Sequence, residues 1–161
     1  MAERAVINAS PLIFFSRSRH FELLASFADE FWVPEPVAEE ILQRGPQDTT
    51  AKSIDETPWL ITTPVPTPLP TAIIEWRLGV GESAVLALAA EHKVTAIIDD
   101  LAGRKCAASL GITLRGTLGI VLIAKKRGLI PLARPVIEDM MRAGLYLSKK
   151  VLDHALQKVG E

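Results

Sequence analysis

Val94-Thr95-Ala96-Ile97-Ile98-Asp99-Asp100 is the most strand-like stretch of the chain, and it ends abruptly on two carboxylates. Four of its first five residues are β-branched, and no charge interrupts them, which suits a strand covered on both faces. Helical patterns flank it, Glu82 to His92 before and Ala102 to Leu110 after. A buried strand between two helices is the repeating unit of a parallel α/β sheet.

Toward the amino terminus, Ala5-Val6-Ile7 is a second short apolar strand. It runs into Asn8-Ala9-Ser10-Pro11, where Ser10 as N-cap and Pro11 at the first helical position predict a helix start. Phe21 to Leu24 has helical spacing with Phe27. Phe31-Trp32-Val33 reads as a strand closed by Pro34, and Pro36 opens a helix over Val37 to Arg44, stopped by Gly45-Pro46. Trp59 to Thr63 reads as an edge strand. Prolines at 64, 66, 68 and 70 exclude a central strand or helix there and mark an extended connector. Toward the carboxyl terminus come Ile73 to Leu78, the apolar helix after Gly79-Val80-Gly81, and a short strand near Ile112-Thr113-Leu114. Helices from Gly116-Thr117 to Gly128, from Pro131 to Ala143 and from Ser148 to Val159 complete the chain. The expected architecture is a single three-layer α/β/α domain over residues 1–161, with a mainly parallel central sheet.

Composition narrows the function. Lys and Arg number 18 against 19 Asp and Glu, a net charge of −1, so nucleic-acid binding would need a local basic patch rather than a global field. The lone Cys106 excludes an internal disulfide and argues against a cysteine-based zinc site. Met1-Ala2-Glu3-Arg4 carries no leader pattern, and apolar runs such as Ala84 to Ala90 are far shorter than the roughly 20 residues that span a bilayer. The expectation is a cytoplasmic protein away from membranes.

In parallel α/β sheets, ligands bind outside the carboxyl ends of the strands. Polar residues stand at two such ends: Asn8 after Val6-Ile7, and Asp99-Asp100 after Ile97-Ile98. Either aspartate would serve as the cap of the following helix, but one cap needs only one aspartate. Glu82 shares a helix face with Val85, Leu86 and Ala89, where a carboxylate is costly unless paired or bound to a metal, although first-turn placement also suits the helix dipole. Glu40 flanks the apolar stripe of its helix and Glu39 points away, with Ala38 and Leu42 blurring the distinction. Clustered hard oxygen donors favour Mg²⁺ or Mn²⁺, ions that activate water and neutralise phosphodiester charge. His20, His92 and His154 are scattered and read as surface residues.

These residues belong to a recognisable series: Val6-Ile7-Asn8-Ala9-Ser10-Pro11-Leu12-Ile13, Val33-Pro34-Glu35-Pro36-Val37-Ala38-Glu39-Glu40-Ile41, Gly81-Glu82-Ser83-Ala84, Ile98-Asp99-Asp100 with Arg104, and Gly116-Thr117-Leu118-Gly119-Ile120 with Gly128-Leu129-Ile130. In order and spacing the chain resembles PIN domains, specifically the DUF3368-like subgroup near the toxin ribonucleases of toxin–antitoxin pairs. The resemblance implies an acidic pocket that binds Mg²⁺ or Mn²⁺ and cleaves single-stranded RNA. It also implies a small cognate antitoxin protein as partner, and a homodimer. Carried over by motif, the pocket acids fall on Glu40, which resolves the ambiguity with Glu39, on Glu82, and on Asp100 with Asp99 as alternate. Thr117 falls on a hydroxyl position near metal water or substrate, and Ser10 and Arg104 lie beside the pocket. The first aspartate of the pattern is Asn8 here. Its amide oxygen can coordinate a hard cation but lacks the charge, so the second reading is a catalytically weak or inactive PIN-fold binding module.

Two other readings fit less well. Gly79-Val80-Gly81 is too short for a dinucleotide fingerprint and follows no convincing strand. A phosphoryl-transfer enzyme with an aspartyl nucleophile needs its acid after the first strand, where Asn8 cannot form the acyl-phosphate. Arg104, Lys105 and Arg115 flank the strand ends as potential phosphate contacts, and Lys125, Lys126 and Arg127 lie on a later helix.

Overall fold

Short apolar runs become the strands of one wholly parallel sheet: β1 (Arg4–Ile7), β2 (Glu30–Pro34), β3 (Leu60–Thr63), β4 (Thr95–Ile97) and β5 (Leu114–Arg115), in the order β3-β2-β1-β4-β5. The computed structural model describes residues 3–161; Met1 and Ala2, the start of the segment read above for a leader, lie outside the described residues. Among the described residues no helix is long and apolar enough to cross a membrane.

The central strands are apolar throughout because both their faces are covered. Ala5, Val6, Ile7, Phe31, Val33, Ala96 and Ile97 are fully buried. Ten helices connect and cover the described strands: α1 (Ala9–Arg17), α2 (Glu22–Phe27), α3 (Glu35–Leu42), α4 (Thr49–Glu56), α5 (Thr71–Ile74), α6 (Val80–His92), α7 (Leu101–Ser109), α8 (Thr117–Lys126), α9 (Ala133–Arg142) and α10 (Lys149–Lys158). Helix α6 packs over β1, β2 and β4, with α5 and α7 beside it. Its residues Ser83 to Ala89 are buried all round, as a helix without a polar face requires. Helices α1, α2, α8 and α9 pack on one another as the opposing layer, in keeping with right-handed crossovers that run left from β1 to β3 and right from β4 to β5. The chain therefore reverses direction between β1 and β4. Their register, Val6 beside Ala96 and Ile7 beside Ile97, brings both carboxyl ends to the same level.

Three local expectations need correction. The N-cap of α1 is Asn8, not Ser10, and Pro11 stands in the third helical position. Asn8 terminates β1, its N–H donating to the Ile97 carbonyl at 3.0 Å, and the helix begins directly after it with no residue to spare. The last strand is Leu114–Arg115, displaced from Ile112-Thr113-Leu114 because β4 pairs Ala96 with Leu114 and Ile97 with Arg115. Two histidines are more than surface residues. His20 is held to Asp139 at 2.7 Å, and His92 meets the Trp32 ring edge-on with centroids 4.7 Å apart. The His20 and Arg142 contacts hold the Asp139 carboxyl below its ordinary value. Burial pushes the Cys106 thiol up, away from the reactive thiolate.

Candidate functional site

Strand order places the crevice before any side chain is considered. In a sheet of this kind it opens where neighbouring strands leave in opposite directions, here beyond the ends of β1 and β4. Asn8 and Asp99 stand at that rim because each immediately follows the buried apolar run of its strand.

Asn8 and Glu40 come together there. Asn8 is buried at 5% exposure. Glu40 reaches the same place from α3, whose Val37, Ala38 and Ile41 are buried against the core. The two side chains converge on Gly81, in the first turn of α6. A Cβ on Gly81 would lie 3.2 Å from Asn8 Oδ1, 3.3 Å from Val37 Cγ2 and 3.6 Å from Glu40 Oε2. Gly81 is helical and has no need of left-handed backbone, so what the glycine provides is room between two oxygens. In sequence Gly81 stands in the Gly81-Glu82-Ser83-Ala84 stretch of the PIN resemblance and in the rejected Gly79-Val80-Gly81 fingerprint, and neither gives it a role in the site. Its signal is a glycine directly before the acid of a buried helix, where alanine would favour the helix by up to about 1 kcal/mol. Gly81→Ala is accordingly expected to hold or slightly raise Tm and, if the space between the two oxygens takes a divalent cation, to weaken Mn²⁺ binding roughly tenfold, because the methyl presses on both donors. Paired thermal melts and metal titrations check this, and unchanged metal affinity would remove the Asn8–Glu40 space from the site.

Glu82 is the next residue on α6. Its carboxylate is half-buried and folded back against Gly79, over the amino-terminal end of its own helix. The dipole role weighed in sequence is thus what the placed side chain performs.

Asp99 and Asp100 each hold a helix. Asp100 Oδ2 accepts from Gly103 N at 2.9 Å and caps α7. Asp99 reaches across to the start of α8, where Oδ1 accepts from Thr117 N at 2.8 Å and Oδ2 accepts from Thr117 Oγ1 at 2.6 Å. Two aspartates stand in tandem because two helices begin beside them, an account that sequence could not supply for the second acid. Thr117 is fully buried, and its hydroxyl positions Asp99. Arg104 donates from Nη1 to the Ile98 carbonyl at 3.2 Å and lies against Gly116 together with Asp99. A side chain at Gly116 would strike both, so this glycine too marks a close approach. Ser10 is exposed on the first turn of α1.

The late cations do not share this rim. Lys125 and Arg127 stand at the far end of α8, about 15 Å along a helix of this length. There Lys125 binds the Pro131 carbonyl and Arg127 the Ser26 carbonyl.

Among the described residues no three histidine, cysteine or carboxylate side chains stand close enough to share one ion. In donor chemistry the rim fits a hard divalent cation: an amide oxygen and a carboxylate oxygen face one space, with further carboxylates on the adjoining helix starts.

This architecture has relatives. No functionally curated protein matches the chain. A PilT N-terminus domain protein from the archaeon Sulfolobus solfataricus is 13% identical, over 90% of this chain and 97% of its own, with a TM-score of 0.48. The structure of VapBC2 from Rickettsia felis, bound to a DNA fragment from their promoter, aligns 70% of this chain with 98% of the matched chain at 11% identity and a TM-score of 0.50. The sequence profile described as DUF3368, PIN domain, matches residues 4–161, nearly the full length, and the chain belongs to that PIN-domain family.

Proposed function

We propose that the protein is a cytoplasmic, Mg²⁺- or Mn²⁺-dependent endoribonuclease that cleaves single-stranded RNA, the toxin of a toxin–antitoxin pair. The observation that carries this reading is the pairing of Asn8 Oδ1 with Glu40 Oε2 around Gly81 at the switch point of the sheet. Membership of a PIN family supports the nuclease class.

Asn8, Glu40 and Glu82 would hold the ion, which when bound supplies Lewis-acid activation of water and charge neutralisation at the phosphate. Asp99 and Asp100 add negative charge on the β4 side of the rim. Thr117 holds Asp99 in place through its hydroxyl and N–H. Arg104 and Arg115 are the cations placed to meet substrate phosphates. The small antitoxin partner and the homodimer belong to the same proposal, as does a single domain over residues 1–161. A neighbour of the fold solved as VapBC2 bound to a DNA fragment from their promoter is in keeping with such a partner.

The test is RNA cleavage by purified protein with Mn²⁺, with and without EDTA, with Asp100→Ala and Glu40→Ala alongside. EDTA-resistant cleavage, or cleavage that survives both substitutions, defeats the proposal.

Asn8 favours a second reading, the binding module with little or no activity, because one negative charge is missing from the donor set. The two readings share a consequence. Restoring the charge with Asn8→Asp is expected to tighten Mn²⁺ binding roughly tenfold, about 1.4 kcal/mol. Without the ion, a carboxylate at this buried position beside Glu40 costs stability. Calorimetric titration of both proteins checks it, and equal affinities would exclude Asn8 from the metal's ligands.

A further inference from the structure

Asp99, Arg104 and Arg115 border a second feature that extends beyond the proposed cleavage site. A groove of about 510 Å³ runs from the rim along edge strand β5, between the start of α8 and the α9–α10 segment. Its floor is apolar, with Leu114, Leu118, Leu122 and Leu147. Its rim is cationic, with Arg104, Arg115 and Lys158 beside His154. Asp99 is the only acid among its lining residues, and both carboxylate oxygens are already engaged by Thr117. Among the described residues no carboxylate lies within ion-pair range of Arg104, Arg115 or Lys158. Tyr146 lines the same groove from the loop between α9 and α10, and is 86% exposed. The residues on either side, Leu145 and Leu147, pack against the core. The loop is thus pinned on both sides of a ring that stands in water and adds nothing to the fold.

An exposed aromatic ring on an anchored loop, among cations that no carboxylate pairs, is the arrangement by which grooves hold single strands: bases stack on the ring while phosphates meet the cations. We propose that this groove binds the single-stranded RNA next to the cleavage site, with Tyr146 stacking one base and Arg104, Arg115 and Lys158 meeting phosphates. The proposal rests on the nuclease reading for its choice of ligand, but it makes a claim that metal and chemistry do not enter. Stacking tolerates any base, so Tyr146 holds the strand without choosing its sequence.

The experiment measures fluorescence anisotropy of a labelled 12-nucleotide oligouridine with the full chain, in EDTA so that no cleavage occurs, over a series of salt concentrations. Tyr146→Ala is expected to weaken binding about tenfold and Tyr146→Phe to bind as wild type. Arg115→Ala and Lys158→Ala are each expected to reduce the slope of log affinity against log salt by about 0.7. All three sites are on the surface, so the variants fold. Equal affinity in Tyr146→Ala and wild type, or an equal loss in Tyr146→Phe, overturns the proposal and leaves the groove to an acidic protein segment. So does an unchanged salt slope. If the protein binds RNA through Tyr146 yet never cleaves it with Mn²⁺, the groove stands and the nuclease reading falls. If it cleaves RNA and Tyr146→Ala neither binds nor cleaves differently, the groove falls and the nuclease reading stands.

Discussion

Glu40→Gln is expected to lower Mn²⁺-dependent RNA cleavage by roughly a thousandfold, on the order of 4 kcal/mol of transition-state stabilisation. Glutamine keeps the volume and one oxygen but removes the charge from the donor pair around Gly81. With Asn8 already neutral, Glu40 brings the formal charge to the space beside Gly81, so its loss leaves two amides there and Glu82 as the remaining carboxylate of the proposed ligand set. Two controls isolate the effect. Glu39→Gln alters a neighbouring exposed carboxylate on the same helix and is expected to leave cleavage unchanged. Because Glu40 is exposed, Glu40→Gln should also keep its stability within about 0.5 kcal/mol, so a melt separates lost chemistry from lost fold. Comparable loss in both glutamine variants would move the site away from Asn8 and Gly81. Full activity in Glu40→Gln would end the case for this pair.

Apolar runs without alternation were legible as two-sided strands, and the best of them, ending at Ile98, became a central strand of the sheet. The switch point was legible only as a condition, that β1 and β4 be neighbours, because pairing depends on which crossover passes over which face. Helix α4 escaped the reading. Its sequence from Thr49 to Glu56 holds Ala51 and Ile54 as its apolar residues, too few to mark a core helix, and its stability comes from elsewhere. Asp48 accepts from Thr50 N and Ala51 N, and Thr50 shares a buried hydrogen bond with Ser16 of α1 at 2.6 Å. The Asp48 cap was the available signal. Convergence of Asn8 with Glu40 could not come from spacing, since three separate elements meet there. Tyr146 could not either, because exposure is a property of the folded surface.

The largest effect on stability is expected at Asp99, and it bears on how any loss of activity there is read. Asp99→Ala leaves the fully buried Thr117 hydroxyl and the first N–H of α8 without their acceptor, a cost of roughly 1–3 kcal/mol for each group. For a chain of this size that lowers Tm by about 4–24 °C. Asp100→Ala removes only a local cap on α7 and should cost about 1 kcal/mol, or roughly 2–4 °C. Thermal unfolding of both variants compares them directly. Thr117→Val supplies the third corner. It removes the hydroxyl while keeping the shape, so the double variant with Asp99→Ala should be less destabilised than the sum of the singles, as coupled partners require. Additive costs would mean that the Asp99–Thr117 contact does not form in solution. A drop at Asp100 as large as that at Asp99 would show that α7, rather than the bridge from β4 to α8, anchors the rim. The contrast decides more than stability. Asp99 and Asp100 are adjacent and chemically identical, yet only the first ties a central strand to the helix layer that walls the groove beside β5. Cleavage lost in Asp99→Ala therefore has to be measured well below its melting temperature before it counts as lost chemistry, whereas cleavage lost in Asp100→Ala can be attributed to the missing carboxylate itself.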